Sequence, residues 1–307
     1  MRASFDSGLA DRVAGVLVGL ATGDALGAAL EFVPREMVRK RFPLGLREMT
    51  ASDLWDQGEY TDDTQMALLL ADSLLENQRL LPFDVARRFR HWIHSAKDVG
   101  LQTRAVAGMA DYLEHPEECA FQYYAAHPGS SAGNGAVMRC APVALFHLNS
   151  RSLLIDASRQ SARLTHFDPL AQSSCVVLNL WIAEASRNGA RDARALALQA
   201  LPASEQSAWR RLRSIQQLEE REIQSTGFTV HTLEAAAWSF LTTKSFEHAV
   251  VRAVNLGDDA DTVGAVTGAL AGAFYGYSAI PARWRRELKD EAMIRGKALA
   301  LAGLSGE

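Results

Sequence analysis

The stretch from Asn255 to Gly276 reads Asn-Leu-Gly-Asp-Asp-Ala-Asp-Thr-Val-Gly-Ala-Val-Thr-Gly-Ala-Leu-Ala-Gly-Ala-Phe-Tyr-Gly. Its first part holds the carboxylates of Asp258, Asp259 and Asp261 and the hydroxyl of Thr262. The rest carries no charge and has a glycine at every fourth position from Gly264 onward. This pattern predicts a long buried helix that begins directly after an acidic cluster.

A second glycine ladder lies near the start of the chain, at Gly15, Gly19, Gly23 and Gly27. Glycine costs a helix interior about 1 kcal/mol relative to alanine, so four on one helix face need a reason. The simplest reason is close approach by the backbone of a neighbouring helix. We therefore expect the two glycine-faced helices to be central elements that pack near each other.

A second acidic segment, Thr61-Asp62-Asp63-Thr64, precedes a run of apolar residues at helical spacing. Either acidic segment alone is also typical of a helix start, where Thr61 would cap the helix and the acids would favour its dipole. Several neighbouring carboxylates repel one another, however, and capping needs only one of them. A bound divalent cation would give a reason to keep the others.

The charges of the two segments suit two such cations. Asp62, Asp63, Asp259 and Asp261 supply four negative charges, and the Thr61 and Thr262 hydroxyls add neutral oxygens. These are hard ligands, suited to Mg²⁺ or Mn²⁺ and not to a Cys/His zinc site. Two ions about 4 Å apart could activate a bridging water and hold substrate hydroxyls.

Two further segments carry weaker signals. The loop 129–135, Gly-Ser-Ser-Ala-Gly-Asn-Gly, precedes an apolar helix predicted over 136–146. Free backbone N–H groups at such a helix start suit a phosphate, although a plain loop is an equally good interpretation. His166 lies in a predicted connection between helices, where a histidine is more often structural.

The bulk composition is that of a globular chain of 307 residues, with 48% apolar and 22% charged residues and a net charge of −4. There is no clustering of Lys and Arg that would indicate a nucleic-acid surface. The odd, low cysteine count predicts free buried thiols and a cytoplasmic protein.

The uncharged stretch 13–21 is not interpreted as a signal peptide, because acidic residues flank it. The uncharged stretch 263–282 is not interpreted as a membrane helix, because it is weakly hydrophobic.

The whole chain, 1–307, is predicted to be one all-α domain. Alternating strand patterns are scarce, with weak extended candidates at 43–50 and 226–230, and 204–225 is interpreted as a solvated helix face. Besides the helix that follows Asp63, helices are predicted over 9–29, 83–95, 99–113, 134–147, 151–163, 169–188, 192–200, 205–221, 231–242, 245–254, 260–277 and 286–302.

Taken together, these segments resemble the ADP-ribosylglycohydrolases, close to the branch that activates dinitrogenase reductase. The matching motifs occur in the family's order over about residues 13–277. They are Gly23-Asp24-Ala25-Leu26-Gly27 with Glu31, 60–66 (Tyr-Thr-Asp-Asp-Thr-Gln-Met), 133–139 (Gly-Asn-Gly-Ala-Val-Met-Arg), Thr165-His166, 227–233 (Gly-Phe-Thr-Val-His-Thr-Leu) and 255–262.

The resemblance implies a compact fold of orthogonally packed helices around a binuclear Mg²⁺ or Mn²⁺ centre. It implies metal ligation by Thr61, Asp62, Asp63, Asp259, Asp261 and Thr262. Glu31 matches a glutamate on a flexible loop that reaches toward the metals and substrate. Asp62, Asp259 and Glu31 are the candidate catalytic carboxylates, and the ADP-ribose pocket would involve Ser131, Gly133, Asn134, Gly135, Met138 and His166.

Asp98, followed by Gly100, resembles an aspartate that arginine-directed members place near the substrate guanidinium, although Leu101 stands where a polar residue is expected. A carboxylate there could bind a guanidinium through a fork of hydrogen bonds.

The expected activity is metal-dependent removal of ADP-ribose from modified protein side chains, most of all from arginine. Alternatives are ADP-ribosyl-serine or O-acetyl-ADP-ribose hydrolysis and a metal-dependent nucleotide phosphohydrolase. We expect a monomer whose partners are an ADP-ribosylated protein and the product ADP-ribose, without membrane or nucleic acid.

Overall fold

The computed structural model describes residues 7–304, and these form an all-α fold, as predicted. The protein is about 66% helical, and no sheet occurs in the described part. The helices are α1 (Ser7–Gly27), α2 (Arg35–Arg41), α3 (Asp62–Asn77), α4 (Pro82–Trp92), α5 (Leu101–Ala107), α6 (Pro116–Ala126), α7 (Ala141–Phe146), α8 (Arg151–Arg163), α9 (Pro169–Asn188), α10 (Arg194–Gln199), α11 (Ala203–Gln206), α12 (Arg210–Arg213), α13 (Thr229–Leu241), α14 (Phe246–Val254), α15 (Ala260–Tyr275), α16 (Ala282–Glu287) and α17 (Glu291–Leu301).

The two glycine ladders lie against each other, which confirms the expected packing of α1 on α15. A Cβ atom placed on Gly268 would lie 2.6 Å from the carbonyl carbon of Gly19 and still closer to its oxygen. A Cβ on Gly27 would lie 2.5 Å from Cα of Asp261. The two backbones therefore touch along the ladder, and only glycine permits this approach.

The rest of the core is assembled around this pair. Helices α9, α13 and α14 pack on α15, while α17 and α3 pack on α1. Large side chains fill the space between these helices, and Trp181, Phe240 and Phe246 are fully buried. Helix α1 is buried from Val13 to Gly27 and α15 from Ala260 to Ala273, so the last turn of α1 and the first turn of α15 lie inside the molecule.

The predictions for segments 134–147 and 204–225 are wrong in part. The first segment forms turns as far as Arg139, and its helix begins only at Ala141. The second segment is broken into short α and 3-10 pieces with Trp209, Leu212 and Ile215 buried. These apolar residues recur every three positions, which suits the three-residue turn of a 3-10 helix and not a continuous α-helix.

Other boundaries differ for local reasons. The predicted helix 99–113 ends at Ala107 and is followed by a 3-10 turn, Ala110–Leu113. The predicted helix 286–302 is interrupted between α16 and α17, where Asp290 has a left-handed conformation with φ of 58°. The sequence interpretation missed α2 and α6. Only Val38 is buried in α2, so that helix leaves no apolar period to detect.

Two pairs of segments are joined by isolated β-bridges, Val33 with Asp258 and Gly133 with Phe228. The second bridge is the only pairing found at the predicted extended segments within residues 7–304, and 43–50 forms none there. None of the described helices has the length and apolar character needed to cross a bilayer.

Candidate metal centre and substrate cavity

A cavity of about 490 Å³ lies beside the start of α15 and collects side chains from distant parts of the chain. Of the residues predicted for the site, Thr61 and Asp63 are buried and do not line the cavity wall. Ser131 is also buried, where its hydroxyl donates to Oδ2 of Asp168 (3.3 Å), and it does not line the cavity. The cavity is lined by the predicted residues Glu31, Asp62, Asp98, Gly100, Gly133, Asn134, Gly135, Met138, His166, Asp259, Asp261 and Thr262, and also by Phe32, Val99, Leu101, Gln102, Thr103 and Gly227.

Asp63 ties the two acidic segments together beneath the cavity. Its Oδ2 accepts from the hydroxyl of Thr61 at 3.1 Å and from the hydroxyl of Thr262 at 3.4 Å. Its Oδ1 is buried and lacks a hydrogen-bond partner among the described residues, and the same is true of Oδ1 of Asp261. Buried carboxylate oxygens without partners are costly, and a cation bound between them would satisfy both atoms.

Helix capping does not account for the acidic residues. Asp259 precedes α15, but its side chain caps no N–H group of that helix. Its Oδ2 instead accepts from Nδ2 of Asn134 at 2.7 Å. At the start of α3 the cap is the hydroxyl of Thr61, which accepts from the Asp63 N–H at 3.4 Å. The aspartate carboxylates are therefore free for another role.

The carboxyl groups of the site have raised pKa values. Burial, reinforced by the charges of Asp98 and neighbouring acids, raises the pKa of Glu31 to about 8 and that of Asp62 to about 7. Burial and mutual repulsion hold the pKa values of Asp63 and Asp261 well above the ordinary range. Burial also raises the pKa of Asp259. Such repulsion between like charges is what a cation would relieve.

The chemistry of the donors suits a hard divalent cation, because carboxylate and hydroxyl oxygens supply the whole set. The residues that could hold it are Asp62, Asp63, Asp259, Asp261, Thr61 and Thr262. In the described part of the chain, no three His, Cys, Asp or Glu side chains are already arranged as a closed ligand group. The hydroxyls of Thr61 and Thr262, which both donate to Asp63, would add two neutral oxygens.

Asp24 is a site residue that the sequence interpretation quoted in a motif but did not assign. It is fully buried in α1. Its carboxylate accepts from the Thr61 N–H at 2.9 Å, the Thr64 N–H at 3.0 Å and the Thr64 hydroxyl at 2.5 Å. Asp24 thereby fixes the first turn of α3, which carries Asp62 and Asp63. The available signal was a lone acid inside an apolar, glycine-faced helix.

Arg35 was also missed, and it holds the segment before Asp259. Its guanidinium donates to three carbonyl oxygens: Leu256 at 3.0 Å, Glu220 at 2.8 Å and Ile223 at 2.6 Å. Beside it, the Asp258 N–H donates to the carbonyl of Val33 at 2.8 Å. The Glu31 segment and the loop before α15 are therefore joined at their backbones.

The Gly-Asn-Gly loop, 133–135, packs on the His166 ring. A Cβ on Gly135 would lie 2.8 Å from Cε1 of His166, so a larger residue would displace the ring. His166 Nδ1 pairs with the hydroxyl of Thr165 at 2.8 Å, and burial lowers its pKa well below the usual value. The ring is thus neutral and fixed, with the loop N–H groups beside it. The anchoring of the loop comes from Gly227, whose carbonyl accepts from the Asn134 N–H at 3.0 Å.

The mouth of the cavity carries two exposed apolar side chains, Phe32 (78% exposed) and Leu101 (87% exposed). Asp98 lies on the same wall as Leu101 and is half-buried. Phe32 has a φ of 59°, unusual for a bulky residue, and its N–H donates to the Asp258 carbonyl at 2.6 Å. The mouth therefore combines one carboxylate with apolar edges.

Comparison with known proteins agrees with this geometry. The chain is 34% identical to the ADP-ribosylarginine hydrolase Tri1 of Serratia proteamaculans, over 97% of this chain and 80% of that protein. It is 33% identical to the ADP-ribosyl-[dinitrogen reductase] glycohydrolase of Rhodospirillum rubrum, over 96% and 97% of the two chains. A solved structure described as an ADP-ribosylglycohydrolase-related protein complex superposes with a TM-score of 0.80 at 36% identity, covering 97% of this chain and 99% of that one. The sequence profile of the ADP-ribosylglycohydrolase family matches residues 6–306. The chain therefore belongs to the ADP-ribosylglycohydrolase family.

Proposed function

We propose that this protein hydrolyses the bond between ADP-ribose and an arginine side chain of a modified protein, with the aid of two divalent cations, Mg²⁺ or Mn²⁺. The observation that carries the proposal is the convergence of four carboxylates, Glu31, Asp62, Asp259 and Asp261, on one cavity with the Gly-Asn-Gly loop. Relatives named as ADP-ribosylarginine hydrolase and ADP-ribosyl-[dinitrogen reductase] glycohydrolase support it. The cavity of about 490 Å³ is within the usual range for a small-molecule ligand.

The choice of arginine depends on Asp98. Its carboxylate lines the cavity near Glu31 and Asp62, since its charge raises the pKa of both. A guanidinium offers a carboxylate two parallel N–H donors, whereas a serine leaving group offers no cation. The apolar edges of Phe32 and Leu101 would contact the aliphatic part of an arginine side chain.

The cations, when bound by Asp62, Asp63, Asp259, Asp261, Thr61 and Thr262, would supply positive charge to orient ribose hydroxyls and to acidify water. The chain's own residues provide the proton transfers. Asp62 and Asp259 line the cavity, and Asp62 is the first candidate to accept a proton from the attacking water, with Asp259 as the second. Glu31 lines the same cavity and is not among the residues that would hold the cations, so its carboxyl could pass a proton to the departing nitrogen.

Substrate binding would be the task of the rigid loop around Asn134. Gly133 and Gly135 bring the backbone close to the neutral His166 ring, and Met138 completes that wall. Backbone N–H groups without a side chain in front of them suit a diphosphate. Ser131 would act indirectly, through Asp168, since it does not line the cavity.

The proposal is tested by measuring release of ADP-ribose from arginine-linked and serine-linked substrates with Mg²⁺, Mn²⁺ or EDTA. We expect release from arginine, loss of release with EDTA, and a fall of at least about 100-fold in kcat for Asp261→Asn, since removing one ligand of a metal site disables it. Asp53→Asn is the matched control, because Asp53 is an exposed aspartate. Undiminished activity in EDTA would contradict the metal-dependent mechanism, and a preference for serine would contradict the assigned acceptor.

A separate variant isolates the role of Asp98. Asp98→Asn keeps the size of the side chain and removes its charge. It should raise KM for arginine-linked substrate by about tenfold, the loss of one charge-assisted contact. An unchanged KM would assign guanidinium recognition to another residue.

We also propose a cytoplasmic setting. The three cysteines, Cys119, Cys140 and Cys175, are free, buried thiols, which fits such a setting.

A further inference from the structure

A second cavity, of about 620 Å³, lies along α14 and shares no lining residue with the carboxylate cavity. His248 and Arg252 lie one turn apart on α14, and Lys244 and Asn255 flank the two ends of that helix. Gly45, Arg47 and Glu220 form the opposite wall. We call this cavity the α14 groove.

The α14 groove concentrates positive charge on a chain whose net charge is −4. Arg47, Lys244 and Arg252 face a single carboxylate, that of Glu220. That carboxylate already pairs with Arg39 at 2.6 Å. Clustered cations repel one another, and they attract an anion from solution.

Two of these side chains are free to bind a ligand. Throughout the described range 7–304, the side chains of Lys244 and His248 have neither a hydrogen-bond nor an ion-pair partner, and both are exposed. Arg47 has only a long contact of 3.9 Å with Glu247, whose carboxylate binds Arg283 at 2.6 Å.

Arg252, in contrast, is held in place. Its Nη1 donates to the hydroxyl of Thr242 at 2.7 Å, and its guanidinium lies 5.0 Å from the centre of the Trp238 ring. A fixed guanidinium presents its remaining N–H donors in a planar fork that matches phosphate oxygens. A fixed fork beside two unpaired cations is an arrangement preorganised for a polyanion.

We propose that the α14 groove is a second ligand site, which binds a phosphorylated small molecule through Arg252, Lys244 and Arg47. Its volume allows a group larger than inorganic phosphate. The Asn255 amide continues the groove wall, accepting from the Leu46 N–H at 2.7 Å and donating to the Leu46 carbonyl at 3.0 Å. The binding face is therefore held between two segments that already contact each other.

The test is titration calorimetry on the full chain in EDTA, with pyrophosphate, ADP, inorganic phosphate and adenosine as separate probes. We expect one site for pyrophosphate and ADP that persists when Gly135→Val fills the other cavity, weaker binding of inorganic phosphate at that site and none of adenosine. The variant Lys244→Gln with Arg47→Gln should weaken pyrophosphate binding at least about tenfold, because two charged contacts are lost. Both side chains are exposed, so folding should be unchanged by circular dichroism.

Arg79→Gln with Arg210→Gln makes the same change of net charge at exposed positions outside the groove. It should bind pyrophosphate like the wild type. Equal weakening in this control would reduce the effect to overall charge and overturn the proposal. The proposal would also be overturned if pyrophosphate did not bind at millimolar concentration. It would be overturned as well if Gly135→Val, in the other cavity, abolished pyrophosphate binding while the groove variant kept it. Because the two cavities share no lining residue, binding that is kept in Gly135→Val and lost in the groove variant is assigned to the groove whether or not the hydrolase proposal holds.

Discussion

Gly268→Ala is the substitution with the clearest consequence, because it adds a single methyl group where α1 and α15 touch. The new Cβ would lie 2.6 Å from the carbonyl carbon of Gly19. Non-bonded carbons are most favourable at about 3.5 Å, so this contact alone requires a local separation of about 0.9 Å, and the closer Gly19 oxygen requires more. Neither partner can rotate away, since both are main-chain atoms of buried helices.

The expected cost follows from this separation. Overpacking a core costs about 1–3 kcal/mol, and a rigid backbone contact belongs at the upper end of that range. Alanine recovers up to about 1 kcal/mol through its helix propensity. We therefore expect Gly268→Ala to lower the free energy of unfolding by about 2 kcal/mol.

Gly296→Ala is the matched control in α17. A Cβ there meets nothing within 4 Å, and the residue is exposed. The same substitution should raise the free energy of unfolding by up to about 1 kcal/mol, leaving about 3 kcal/mol between the two variants. Urea unfolding followed by tryptophan fluorescence measures both, since Trp181 and Trp284 are buried reporters. If Gly268→Ala were as stable as Gly296→Ala, the backbone contact of the two ladders would be refuted.

Three further predictions concern the acidic site. Arg35→Met should weaken Mn²⁺ binding at least about tenfold in a calorimetric titration, because its three contacts with carbonyl oxygens are lost. The control Arg39→Met removes only an exposed ion pair and should leave Mn²⁺ binding unchanged. Asp24→Asn should likewise weaken Mn²⁺ binding, because the single amide oxygen cannot accept from the N-cap Thr61 and from both donors of Thr64 in α3. Unaltered affinity would exclude a positioning role. Folding raises the pKa values of Glu31 and Asp62 to about 8 and about 7. As the pH rises from about 4 toward 8, these carboxyls therefore ionise in the unfolded chain before they do so in the folded one, and the free energy of unfolding falls. The metal-free protein should melt at a higher temperature at pH 5.5 than at pH 8.5, and Mn²⁺ should stabilise it more at pH 8.5; the reverse order in calorimetry would contradict the shared cause.

The sequence was most informative where its residues differ from those that favour an isolated helix. Glycine every fourth residue contradicts helix propensity, and this predicted the packing of α1 on α15. Neighbouring acids exceed what capping requires, and this predicted that Asp62 and Asp259 would meet at one site. The structure places both on the same cavity, while their proposed metal ligation remains a prediction.

Side-chain hydrogen bonds to backbone carbonyls far away in the chain could not be predicted from the sequence. The guanidinium of Arg35 binds carbonyl oxygens of residues 185, 188 and 221 positions away. A carbonyl is present in every residue, so no residue type at those positions marks the contact. Helix α2 illustrates a related limit, because it buries only Val38 and therefore shows no apolar period.

The glycine ladders and the acidic site are parts of one arrangement, because α1 contacts both halves of the proposed metal centre. At its end, Gly27 lies against Ala260 and Asp261, so the closest backbone contact sets the position of the first turn of α15. One turn earlier, the carboxylate of Asp24 holds the first turn of α3. A single buried helix thus positions the two acidic segments, although they lie about 200 residues apart in the chain. Repelling carboxylates would drive two independently mobile segments apart, and the rigid α1 prevents this. The helix propensity that α1 and α15 lose at their seven ladder glycines is therefore part of what keeps the acidic site assembled.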